Sequence, residues 1–102
     1  MKGSVDILLL SLLEHRDLYG YEMTQILKGL SDGTYEMSEG TLYSALKRLE
    51  RKSLVESYWQ DAASGRRKYY QMTDRGIKEL QVKRKNWEWM DELIRKSSEG
   101  LS

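Results

Sequence analysis

Apolar positions fall along the chain in blocks of changing period. Ile7, Leu8, Leu9, Leu10, Leu12 and Leu13 are packed too densely to form one face, which predicts a first helix buried on most sides. Tyr19, Met23, Ile26, Leu27 and Leu30 then recur at i, i+4, i+7, i+8 and i+11, a single face of an amphipathic second helix. Gly29 and Ser31-Asp32-Gly33 stop it. Ser38 is an N-cap for a third helix, whose buried stripe is Leu42, Ala45, Leu46 and Leu49, and Lys52-Ser53 ends that helix.

The period then shortens. Leu54 to Gln60, with Val55, Tyr58 and Trp59, reads as a strand. Asp61 to Gly65 is turn-forming, and Arg67 to Met72, with Tyr69 and Tyr70, reads as the returning strand. Thr73 caps a last helix running through Ile77, Leu80, Trp87, Met90 and Ile94 to about Lys96, with no proline to kink it. Three helices, a hairpin and a long helix make a mainly α fold with a small β-hairpin, a winged helix-turn-helix. Residues 1–72 form the winged unit and 73–102 a C-terminal dimerisation helix, within one compact domain.

Composition narrows the function. The 102 residues hold no cysteine, which excludes a disulfide framework and a thiolate metal site and suits a reducing cytoplasm. No apolar run approaches the ~20 residues of a membrane span. Met1-Lys2 before the apolar block could mimic a secretory signal, but Glu14, His15, Arg16 and Asp17 stand where a cleavage site should be, so no export is expected. His15 is the only histidine, and no glycine-rich phosphate loop follows a strand, so no enzyme, metal or cofactor is expected.

The net charge of +1 is unevenly placed. Residues 1–37 carry three basic and six acidic side chains, whereas 38–69 carry seven basic and four acidic. Opposite the leucine stripe of the third helix lie Gly40, Ser44, Lys47 and Arg51, flanked by Thr41, Tyr43 and Arg48. Small residues near a helix start allow close approach to base edges, and long cations farther along reach phosphate or guanine. A solvated mixed-charge face explains the helix alone equally well. The hairpin weights the choice, because Ser64-Gly65 leads straight into Arg66, Arg67 and Lys68. Basic residues also protect sheet edges, yet a basic helix followed by a basic wing favours DNA. A winged-helix module that binds protein instead is the alternative.

In the last helix Leu80, Trp87 and Ile94 recur every seven residues, with Met90 between them, a seam too apolar to leave in water. A homodimer is the expected solution, with Trp87 and Trp89 filling its core.

The chain resembles the PadR family of transcriptional regulators over nearly its whole length. The resemblance rests on Tyr19-Gly20-Tyr21-Glu22, Glu39-Gly40-Thr41-Leu42-Tyr43, Leu49-Glu50 with Leu54-Val55-Glu56, Gly65-Arg66-Arg67-Lys68-Tyr69-Tyr70 and Thr73-Asp74-Arg75-Gly76. It implies a homodimeric DNA-binding repressor of inverted-repeat operators, with Ser38 to Arg51 as recognition helix and Lys47 and Arg51 on DNA. Tyr21 would touch phosphate, while Tyr19 is expected to pack. The short last helix is similar to a subgroup whose multidrug-sensing members stack flat aromatic drugs on a tryptophan across the dimer axis. That likeness implies a small aromatic or hydrophobic effector held by Trp87 and Asp91, with Ile7 and Leu10 as walls.

Overall fold

The computed structural model describes residues 4–100, so Met1 and Lys2 lie outside the described residues. The elements are α1 (Ser4–Leu13), β1 (Leu18–Tyr19), α2 (Gly20–Leu30), α3 (Glu39–Arg51), β2 (Val55–Ala62), β3 (Gly65–Met72) and α4 (Asp74–Gly100). The sheet is antiparallel with order β1-β3-β2. The hairpin is longer than its turn-forming residues predict, because the ladder continues to an Ala62–Gly65 pair and only Ala63 and Ser64 remain as loop. β1 is a third strand that the hydrophobic pattern did not announce.

Local chemistry starts α3 and α4 and stops α3 as expected, whereas α4 runs on past Lys96 to Gly100. The Ser38 hydroxyl accepts the Thr41 N–H at 3.1 Å and donates to the Thr41 hydroxyl, capping α3. At its far end the Leu54 N–H returns to the Leu49 carbonyl at 3.0 Å, with Ser53 in the left-handed region at φ 62°. Glu22 accepts the Tyr19 N–H at the start of α2. The Thr73 hydroxyl accepts the Gly76 N–H at 3.0 Å and lies 2.7 Å from the Ser53 carbonyl, so one side chain caps α4 and ties it to the root of β2.

The core lies between α1, α2, α3 and the inner face of the sheet. Leu9, Leu10, Met23, Leu42, Leu46 and Leu49 are fully enclosed, and Leu18, Val55 and Tyr70 close the sheet side. α4 joins through its first turns. A Cβ on Gly76 would stand 2.1 Å from the Leu54 carbonyl oxygen, so only glycine allows the helix this close to the strand. Leu80 completes the contact with no exposed surface. One bidentate pair of bonds from Arg84 to Glu14, at 2.9 and 3.0 Å, braces the helix against the end of α1 and holds the Glu14 carboxyl below its usual range. Beyond Arg84 every described residue of α4 is exposed except the half-buried Met90.

The first helix is less enclosed than its leucine block predicts. Leu9, Leu10 and Leu13 are buried, while Ile7, Leu8 and Leu12 keep partial exposure on the side the core leaves open.

Candidate nucleic-acid interface

α3 turns its leucines inward, and the opposite side carries Gly40, Thr41, Tyr43, Ser44, Lys47 and Arg51 into solvent. The sheet completes this surface. Cross-strand pairing sets Val55 opposite Met72, Ser57 opposite Tyr70, Trp59 opposite Lys68 and Asp61 opposite Arg66, all on the sheet face that continues the buried Tyr70. Gly40, Tyr43, Ser44, Lys47 and Arg51 therefore meet Lys68 and Tyr70 around one open groove of about 710 Å³. Glu50 is its acidic wall and accepts the Ser57 hydroxyl at 3.0 Å.

A second cleft, of about 320 Å³, adjoins the first at the start of α2. Tyr19, Gly20, Tyr21, Tyr43 and Trp59 share it with Arg66, Arg67 and Lys68. A Cβ on Gly20 would lie 2.7 Å from the Tyr43 hydroxyl, so a larger residue there would push the exposed Tyr43 side chain aside. The wing cations are not equivalent. Arg66 lies 5.2 Å and Lys68 6.0 Å from the Trp59 ring centroid. Arg67 belongs to the other face, 4.4 Å from the Tyr19 ring and donating to the Ser64 hydroxyl. On that face Tyr69 stacks on Tyr58 and meets Tyr19 edge-on. Tyr19 thus packs, as expected, while Tyr21 is exposed.

Two phenols are held neutral. Burial, reinforced by the Glu50 charge, pushes Tyr70 up to about 12. The bond from Tyr58 to Asp17, at 2.6 Å, pushes Tyr58 up to about 12. Tyr70 therefore stays an uncharged hydroxyl beyond the pH at which an ordinary tyrosine ionises.

Several expected site residues stand elsewhere. Arg48 was placed on the DNA side by its position on the helix wheel. Its guanidinium turns back under α1, donating through Nε and Nη2 to both oxygens of Asp6, which is only 4% exposed. It is an internal ion pair, and that bond raises the Arg48 pKa. Leu80 is fully enclosed by its own protomer and has no surface to give a seam. Leu10 is likewise sealed in the core and cannot wall an effector site, whereas Ile7 keeps partial exposure. Trp87 and Ile94 are exposed at 37% and 58%, alongside Trp89 and Leu93. Asp91, one turn after Trp87, accepts from Arg95 at 3.2 Å.

Sequence reasoning missed Glu50, Tyr70 and Trp59 as lining residues. For Tyr70 and Trp59 a signal existed, since a period of two places Tyr70 beside Lys68 and the hairpin register places Trp59 across from it. Among the described residues no cluster of His, Cys, Asp and Glu could hold a metal ion, and no helix is long and apolar enough to cross a membrane.

Residues 9–82 match the model of the transcriptional regulator PadR-like family. The chain belongs to that family. A transcriptional regulator from Clostridium thermocellum shares 40% identity and superposes with a TM-score of 0.86, over 93% of each chain. A PadR family transcription regulator from Clostridium difficile shares 38% identity at a TM-score of 0.81, over 92% of this chain and 97% of the other. An uncharacterised protein of Lysinibacillus sphaericus is 35% identical over 99% of this chain and 94% of its own length. The transcriptional regulator YqjI of Escherichia coli is 28% identical, and there this PadR-like chain spans 47% of the relative's length. The groove between α3 and the wing is thus the exposed basic surface of a winged-helix transcriptional regulator.

Proposed function

We propose that this PadR-like chain is a sequence-specific repressor that binds inverted-repeat operators in double-stranded DNA as a homodimer in the cytoplasm. Residues 1–72 contact DNA and residues 73–102 dimerise. The observation that supports this best is the meeting of Lys47, Arg51 and Lys68 around one groove that also holds Ser44 and Gly40. α3 enters the major groove with Gly40, Thr41, Tyr43 and Ser44 nearest the base edges. Lys47 and Arg51 reach guanine or phosphate, and Ser64, Gly65, Arg66 and Lys68 of the wing lie along the backbone. Tyr21 meets phosphate beside the start of α2.

Trp87, Met90 and Ile94 close the dimer, placing two reading heads about 34 Å apart, one turn of DNA. Bound there, the protein blocks polymerase. An aromatic effector wedged at Trp87 and Asp91, beside Ile7, changes the spacing of the heads, so effector and DNA weaken each other by the same factor.

The test is fluorescence anisotropy with DNA from upstream of the protein's own gene at several salt concentrations. Wild type is expected to bind tightly with a steep salt dependence, and a Lys47→Ala/Arg51→Ala variant to lose both properties. Binding indifferent to sequence, salt and variant would turn the reading toward a protein-binding module. For the effector, a flat aromatic compound should quench Trp87 and weaken operator binding together, and quenching without weaker binding counts against it.

A further inference from the structure

Trp59 lines the second cleft of the candidate interface, yet the binding proposed above gives it no role. It is 57% exposed, on the strand residue directly opposite Lys68. Its sheet face is the one that runs from Tyr70 in the reading groove toward the tip, so the indole stands between α3 and the end of the hairpin. Arg66 and Lys68 flank the ring at 5.2 and 6.0 Å. A guanidinium stacked on an aromatic face keeps its N–H edge free to bond an anion, and the stack limits the side-chain freedom lost on binding. Asp61 lies 3.7 Å from Arg66 and is the opposing charge at this site. Arg67 is not part of the arrangement, being stacked on Tyr19 across the sheet.

We propose that Trp59 is a DNA-contacting residue of this regulator, and the inference rests on the DNA-binding reading above. Its ring packs on a deoxyribose bordering the groove that α3 reads. Arg66 beside that ring, and Lys68 between it and the Tyr70 ring, bind the phosphates on either side. The wing then contributes one contact that does not depend on counterion release and two that do. Deoxyribose offers an apolar face at every sequence, so Trp59 adds affinity and register without base preference. Asp61 weakens the platform by partly neutralising Arg66.

The experiment uses the full chain and the tightest-binding duplex selected from a random pool. Trp59→Ala should weaken binding about tenfold, in the range of aromatic contacts to nucleic acid, with the slope of affinity against salt unchanged. Arg66→Ala removes one phosphate contact from each protomer and should reduce that slope by about two per dimer. Trp59→Phe keeps a flat ring and should retain most of the affinity, while Asp61→Asn should tighten binding. Saturating DNA should change the tryptophan emission of wild type more than that of Trp59→Phe, since Trp87 and Trp89 are common to both. Because Trp59 is exposed, the urea midpoint of Trp59→Ala should match wild type. Wild-type affinity in Trp59→Ala, or equal emission changes in wild type and Trp59→Phe, overturns the assignment to Trp59. If Lys47→Ala/Arg51→Ala also binds as wild type, the DNA-binding reading itself falls.

Discussion

Replacing Arg48 by alanine separates a scaffold residue from a DNA contact. The substitution removes both donors from the Asp6 carboxylate, whose side chain is 5% exposed, and leaves a buried charge in the first turn of α1. Breaking a fully buried pair costs about 3–5 kcal/mol. The Arg48 side chain is 41% exposed, so water reaches its end of the pair and the loss should be about 2–3 kcal/mol. At about 4–8 °C per kcal/mol for a domain of this size, the melting temperature should fall by roughly 10–20 °C. Urea and thermal unfolding at fixed protein concentration measure this. The double variant Asp6→Leu/Arg48→Met removes both charges and should recover to within about 1 kcal/mol of wild type. Operator binding by Arg48→Ala, measured below its melting range, should keep the wild-type salt slope, whereas Lys47→Ala, lost from both protomers, should reduce it by about two. An Arg48→Ala protein with the wild-type urea midpoint and a flatter slope would refute the reasoning and return Arg48 to the DNA face.

Gly76→Ala should destabilise by about 2–3 kcal/mol, because its Cβ collides with the Leu54 carbonyl and the backbone must move. Gly29→Ala has no atom within 4 Å of the added carbon and should stabilise by up to about 1 kcal/mol, read as a higher urea midpoint; equal effects at the two sites would contradict the packing described. Stability should fall as pH rises from about 10 to about 12. Tyr58 and Tyr70 are held neutral in the fold, so their contribution is complete below the ordinary phenol pKa and is lost as pH passes their folded values near 12. Ultraviolet titration should show these two ionising late, and all seven tyrosines ionising together near 10 would count against the Asp17 and Glu50 environments. Ile94→Asp should raise the dimer dissociation constant at least ~30-fold in sedimentation, from about 2 kcal/mol of buried charge; an unchanged constant would remove this stretch of α4 from the interface.

How far the fold could be read depended on where each signal lay. α3 was legible in full, because Leu42, Ala45, Leu46 and Leu49 repeat at the helical period and Ser38 caps them. β1 was not, since two residues carry no periodicity and Leu18 and Tyr19 become a strand only by pairing with Tyr70 and Tyr69. The helix wheel placed Lys47 and Arg51 on the open side with Gly40 and Ser44. It could not show that Asp6, 42 positions earlier, would draw Arg48 off that side. Leu80 fits a heptad with Trp87 and Ile94, but the close seat of Gly76 brings that turn into the core before the seam begins. Leu10 shared a leucine block whose two sides meet different surroundings, one the core and one the partly open side of Ile7. Trp59 reads in sequence as a strand former, and only the register across the hairpin sets it among cations.

The Leu54 carbonyl against which Gly76 is seated also begins the strand leading to the wing, and Arg84 is the outermost brace between α4 and α1. From Arg84 to Gly100 the helix projects about 24 Å like the arm of a crank. A rotation of about 5° at that pivot sweeps its far end by about 2 Å. The arm and the wing thus share one rigid seat, in which the backbone of α4 at Gly76 lies directly against the Leu54 carbonyl with no side chain of its own between them.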